Sequence, residues 1–124
     1  FAPMFLIQAL LPMMGNDEQT HIINISSMGG FQGSAKFNGL SAYSSTTEDL
    51  APFTECLAEE LRPKNIFINC FALGAVQTEM LSKAFPEYIA PVNATQMAYY
   101  IKDFAMNGSR FFDGKIIPVS VATP

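Results

Sequence analysis

Two hydroxyl-bearing segments are where this 124-residue chain could do chemistry. In Ile22-Ile23-Asn24-Ile25-Ser26-Ser27 an apolar run ends in paired serines. In Ser41-Ala42-Tyr43-Ser44-Ser45-Thr46-Thr47 a tyrosine stands near the start of a helical pattern. A phenol at a helix start can give a proton to a substrate oxygen or take one from it. Its ordinary pKa of about 10 makes it a poor base near neutrality. A cation one helical turn on would share its face and favour the phenolate. The residue at that spacing, i+4, is Thr47, which can donate a hydrogen bond but carries no charge. Taken singly, the two segments also fit an ordinary strand end and an ordinary helix cap.

The other polar residues point to no second centre. His21 is the sole histidine and stands at a strand start, where a surface or structural role is the simplest reading. No cluster of His, Cys, Asp and Glu has the spacing of a metal site. Glu48-Asp49 and Glu59-Glu60 are solvated helix faces. Lys36 precedes Tyr43 and could reach back toward the phenol only through a loop. Cys56, on an expected helix, and Cys70, in an expected strand, are read as buried small hydrophobes in a reducing, cytoplasmic setting.

The elements that must position these residues alternate between helix and strand, the pattern of a parallel sheet flanked by helices. Strands are expected over His21 to Ser27, Ile66 to Ala72 and Lys115 to Val121, each short, apolar and bounded by polar residues or glycine. A helix from about Ser41 to Leu61 carries Leu50, Phe53, Leu57 and Leu61 at helical spacing and ends at Arg62-Pro63. Pro52 inside it lacks a backbone donor and clashes with the preceding turn at about 3 kcal/mol, so a kink or break is expected near Glu48. A second helix is expected from about Ala94 to Met106, capped by Asn93 and stopped by Asn107-Gly108. A short one is expected over Thr78 to Ala84. Hydrophobic residues make up 49% and charged residues 15%, which excludes a disordered tail and leaves apolar side chain for one domain spanning residues 1 to 124. A net charge of −4 gives no basic footprint for nucleic acid or an anionic membrane surface. The opening run from Phe1 to Met14 is too short and too interrupted by proline to span a bilayer, and it lacks the features of a signal peptide.

The order of these landmarks resembles the short-chain dehydrogenase/reductase family along nearly the whole chain. Phe5 to Met14 looks like the helix before the family's serine strand, Ser27 like its serine, and Tyr43 like the tyrosine of Tyr-x-x-x-Lys, with Thr47 in the lysine position. Asn69-Cys70-Phe71-Ala72-Leu73-Gly74-Ala75-Val76-Gln77-Thr78 looks like Asn-x-x-x-Pro-Gly-x-Val-x-Thr, with Leu73 where proline is usual. Each motif is weak, but their order and spacing together are specific. The gap from Ser27 to Tyr43 is a little longer than the family norm, with the excess expected in Gly33 to Leu40.

The resemblance implies a Rossmann-like, doubly wound α/β parallel sheet of which this chain is the second half only. It implies an oxidoreductase that interconverts a small-molecule carbonyl and alcohol with NAD or NADP. Ser27 would orient the substrate oxygen, with Ser26 in reserve, and Tyr43 would act as acid/base and meet the cofactor. Gly74, Val76 and Thr78 would line the nicotinamide and pyrophosphate, followed by a lid from Met80, Leu81, Phe85 and Tyr88, residues that could equally cover the core. The family's phosphate loop and relay asparagine are not in the sequence, so a missing N-terminal half or another subunit is implied, and the chain alone is expected to be inactive. The tyrosine helix forms the main dimer contact in the family, implying a homo-oligomer that Thr47 and Pro52 would disturb. The same departures suit an alternative: a non-catalytic remnant that acts through partner binding.

Overall fold

In the computed structural model, which describes residues 1–30, 38–39 and 41–122, three of the apolar runs become a parallel sheet with helices on both faces. β1 (Thr20–Ser27) and β2 (Ile66–Leu73) pair in parallel along their length, from Thr20 opposite Ile66 to Ser27 opposite Leu73. β5 (Ile116–Val119) lies on the other side of β2, with Cys70 opposite Ile116 and Leu73 opposite Val119. The expected strands and their parallel order are thus observed, though β5 is shorter than Lys115 to Val121.

Strand position explains the composition. β2 is central and covered on both faces, so Ile68, Asn69, Cys70 and Phe71 are fully buried and its sequence is almost continuously apolar. Successive side chains of a strand point to opposite faces. Ile68 packs with Ile7 of α1 (Ala2–Leu10) and Ala58 of α3 (Leu50–Leu61), joined by Leu11, Ile22, Phe53 and Leu57. On the opposite face the Phe71 ring meets Phe104 of α5 (Ala94–Asn107) at 4.6 Å between centroids, and Phe104 in turn meets His21 at 5.4 Å.

The expected helix over Ser41 to Leu61 is two helices, α2 (Ser41–Glu48) and α3, divided at Asp49. Asp49 keeps helical dihedrals (φ −65°, ψ −22°), so the break lies in hydrogen bonding. Pro52 has no N–H to offer the carbonyl of Glu48, and the ladder resumes with Phe53 N–H donating to Asp49 O at 3.3 Å. The break falls where the proline predicts it.

Asn93 caps α5 as expected and does so in both directions. Its side chain accepts from the Gln96 amide and its own amide donates to the Gln96 side chain, each at 2.9 Å. α5 stops at Asn107 with Gly108 as its cap, as expected, although Gly108 keeps right-handed dihedrals (φ −67°) and begins a 3-10 turn. Its smallness also serves packing: a methyl built there would meet the Phe104 ring at 2.7 Å. Cys56 departs from expectation, because it lies on the outward face of α3 and is exposed, whereas Cys70 is buried with its thiol pushed up to about 11 by desolvation. Absent from the sequence reading was a ribbon of β3 (Val76–Gln77) and β4 (Val92–Asn93), which brackets α4 (Glu79–Ala84). Lys36 lies outside the described residues, as does most of the 33–40 segment.

Candidate functional site at the carboxyl end of the sheet

β1 and β2 end side by side, so the register that sets Ser27 opposite Leu73 brings Ser27 and Gly74 to the same edge. The two serines of β1 face opposite ways. Ser26 Oγ donates to the carbonyl of Thr47 in α2 at 2.9 Å, tying that helix to the strand end. Ser27 Oγ accepts from the Gly29 amide at 3.1 Å in the turn that follows. Gly29 separates Ser27 from Tyr43: a methyl built on it would lie 3.5 Å from Ser27 Oγ and 3.6 Å from Tyr43 Cε1. The serine hydroxyl and the phenol ring therefore flank one point, and Tyr43 is 40% exposed there.

The next glycine fixes how α2 sits. A methyl on Gly30 would come within 2.8 Å of the Thr47 carbonyl carbon and 2.9 Å of the Glu48 nitrogen, so only glycine lets the turn lie against the helix backbone. Thr47 does not extend toward the phenol as a longer side chain could. Its hydroxyl donates back along the helix, to Tyr43 O at 3.0 Å and Ser44 O at 2.9 Å.

Gly74 likewise serves close approach. Its amide donates to Val119 O at 2.9 Å, and a methyl there would meet Ser120 Cβ at 2.5 Å and Cα at 2.9 Å. Beyond it, Val76 pairs with Val92 in the ribbon. Thr78 caps α4, its Oγ1 accepting from the Leu81 amide at 3.2 Å. Gln77 secures the segment between α4 and β4, accepting from the Ala90 amide at 2.8 Å and donating to Ser82 Oγ at 2.9 Å. An open depression beside this ribbon is lined by Thr78, Glu79, Met80, Lys83 and Ala84. Met80 is 67% exposed and therefore does not cover the core. Ser27, Tyr43 and Gly74 thus share the sheet edge, whereas Val76 and Thr78 lie further along.

Two supports of the site went unremarked in the sequence. Asn24 Nδ2 donates to Thr54 Oγ1 at 3.0 Å inside the core, pinning α3 to β1. An asparagine between Ile23 and Ile25 in a buried strand requires a partner, so a signal was present. Ser26 was the other, noticed only as a substitute for Ser27. Among the described residues there is no group of three or more His, Cys, Asp or Glu that could hold a metal, and no helix is long and apolar enough to cross a membrane.

Comparison with known proteins bears on the family and the fold. The family model described as short chain dehydrogenase matches residues 1–89, which include Ser27, Tyr43, Gly74, Val76 and Thr78. The chain is 44% identical over 59 residues to the 3-oxoacyl-[acyl-carrier-protein] reductase FabG of Aquifex aeolicus, covering 48% of this chain and 23% of that protein. It is 34% identical over 113 residues to human retinol dehydrogenase 8, covering 89% of this chain and 35% of that protein. Among solved structures, the promiscuous reductase LugOII, which catalyses keto-reduction at C1 during lugdunomycin biosynthesis, superposes with a TM-score of 0.79 at 26% identity, over 98% of this chain and 50% of that one. The chain therefore spans about a third or less of these curated relatives and half of that structure. With strand order, register and family match in agreement, the chain belongs to the short-chain dehydrogenase/reductase family.

Proposed function

We propose that this chain is the C-terminal half of an NAD(H)- or NADP(H)-dependent oxidoreductase domain that interconverts a carbonyl and an alcohol once other polypeptide supplies the first half. The observation that carries this reading is the placement of Ser27 and Tyr43 on either side of Gly29 at the carboxyl end of the sheet. Ligands of open α/β sheets bind at that end.

The residues present fit one end of a dinucleotide. The hydroxyls at the sheet edge suit the redox end, but Gly30 and Gly74 offer no cradle for a pyrophosphate. The space beside Gly30 is filled by Thr47 and that beside Gly74 by Ser120. The nicotinamide end would lie against Tyr43, Gly74, Val76 and Thr78, and the rest of the cofactor against the supplied half. When bound, the cofactor supplies or accepts hydride at the substrate carbon. Ser27 holds the substrate oxygen, and Tyr43 gives that oxygen a proton in reduction and takes one in oxidation. Relatives described as an oxoacyl reductase and a keto-reductase support a ketone as the oxidised substrate.

Thr47 sets the direction in which this site works better. With threonine rather than a cation at i+4, that side chain lends no charge to a phenolate, so reduction, which needs a proton donor, suffers less than oxidation. The test is a domain completed with the first half of a relative, assayed for nicotinamide oxidation by ketones. Tyr43→Phe should lower turnover by about 10²- to 10⁴-fold, and Ser27→Ala should lower it too. Thr47→Lys should raise turnover and move the optimum of oxidation to lower pH. Turnover indifferent to Tyr43 would reject the assignment.

A second reading is a non-catalytic member that acts through partner binding. It is favoured by Thr47, whose hydroxyl is turned onto its own helix, and by the helix break ahead of Pro52. Cofactor binding without turnover, before and after Thr47→Lys, would select it. In either reading the edge of β1, unpaired among the described residues, and the exposed Phe1 with Phe5 and Leu6 of α1 favour cover by other polypeptide, in a homo-oligomer or from the supplied half. A monodisperse monomer in analytical ultracentrifugation would oppose this.

A further inference from the structure

His21 takes no part in the proposed chemistry, yet it belongs to a closely connected polar network away from the sheet edge. Asn69, fully buried in β2, holds three partners. Its Oδ1 accepts from the Lys115 amide at 3.0 Å, its Nδ2 donates to Phe112 O at 2.9 Å, and the same Nδ2 lies 2.9 Å from His21 Nε2. His21 Nδ1 is 3.1 Å from the carbonyl of Ala105 in α5. A backbone N–H at Lys115 and a backbone carbonyl at Phe112 fix which end of the amide is which, because exchanging oxygen and nitrogen would set two donors together and two acceptors together. Asn69 Nδ2 therefore donates to His21, so Nε2 is bare and Nδ1 carries the proton given to Ala105.

We propose that His21 is a pH-operated latch: neutral, it fastens the 111–115 segment and the end of α5 to the sheet, and protonated, it releases them. A proton on Nε2 would point at the donors of Asn69. Turning the Asn69 amide over would only move the conflict to Lys115 and Phe112. The ring is half-buried against Phe104, and the cost of burying charge lowers its pKa from the usual 6.5, against the opposing effects of the Ala105 carbonyl and the Asp113 charge. Asp113, itself held by Arg62 and by the Ile68 amide, sets a negative charge that acts at the ring. The other charged side chains of the surrounding elements, Lys102, Asp103, Arg110 and Lys115, are exposed. Because the folded pKa is lowered, the stability the ring contributes is full above about pH 6.5 and is lost as pH falls from there toward the folded value.

The test uses the chain's sole histidine, whose imidazole resonances need no separation from others. Titration by nuclear magnetic resonance should show the Nδ1–H tautomer and a midpoint below 6.5. Between about pH 7.5 and pH 5 the protection of the Lys115 amide should fall, by about tenfold for each unit of that depression. His21→Gln should flatten this dependence. An Nε2–H tautomer, a midpoint at or above 6.5, or Lys115 protection independent of pH in the wild-type chain would each overturn the latch, whether or not the variant folds.

Discussion

α3 puts Thr54, Ala58 and Leu61 into the core, whereas none of the described side chains of α2 is buried, although only Asp49 separates the two helices. α3 is held by apolar packing on β2 and by the buried Asn24 to Thr54 hydrogen bond. The described ties of α2, which carries Tyr43, include the Ser26 hydroxyl on the Thr47 carbonyl and the close approach of Gly30. The difference shows how the fold divides its tasks. The half of the pattern with an apolar stripe anchors the sheet, while the Ser/Thr-rich half puts none of its described side chains into the core and meets the strand end through polar contacts. Local stability of this kind is lowest where buried apolar contact is least.

Substitutions in the two helices should therefore differ in what they change. The largest effect is expected from Leu61→Ala, which empties a fully buried site on α3 and should cost about 2 to 5 kcal/mol in urea unfolding. A cost comparable to that of an exposed leucine would mean that α3 is not the anchor. Thr54→Val should follow at about 1 to 3 kcal/mol, since it leaves the buried Asn24 amide without its acceptor. Ser26→Ala should cost about 0.5 to 1.5 kcal/mol. Its effect should be confined to faster hydrogen exchange in residues 44–49, with α3 amides unmoved; equal loosening of both helices would erase the distinction drawn here. The smallest effect is expected from Pro52→Ala. It restores a donor to the Glu48 carbonyl and should slow exchange across residues 48–53, with a gain well under the roughly 3 kcal/mol of an unaccommodated helix proline. No change in exchange there would place the cause of the break elsewhere.

The sequence alone determined the sheet, because a central parallel strand must be apolar on both faces and the run from Ile66 to Ala72 can be little else. It determined the break in the tyrosine helix through one missing N–H at Pro52, and the capping of α5 through Asn93, since these effects act within one turn of backbone. It also marked Ser27 and Tyr43 as residues to watch. Tertiary structure decided the rest. Whether Cys56 was buried depended on which face of α3 met the sheet. Gly108 stops α5 as it reads, but that Phe104 also needs the space beside it only packing shows. The β3 and β4 ribbon was invisible because two-residue strands have no periodicity to read. The different fates of Ser26 and Ser27, one tied to Thr47 and the other set beside Gly29 and Tyr43, followed from strand alternation only once it was known which helix lay over which face. Local chemistry is written in neighbouring residues, but exposure and partnership depend on segments far apart in the chain, and only their packing assigns them.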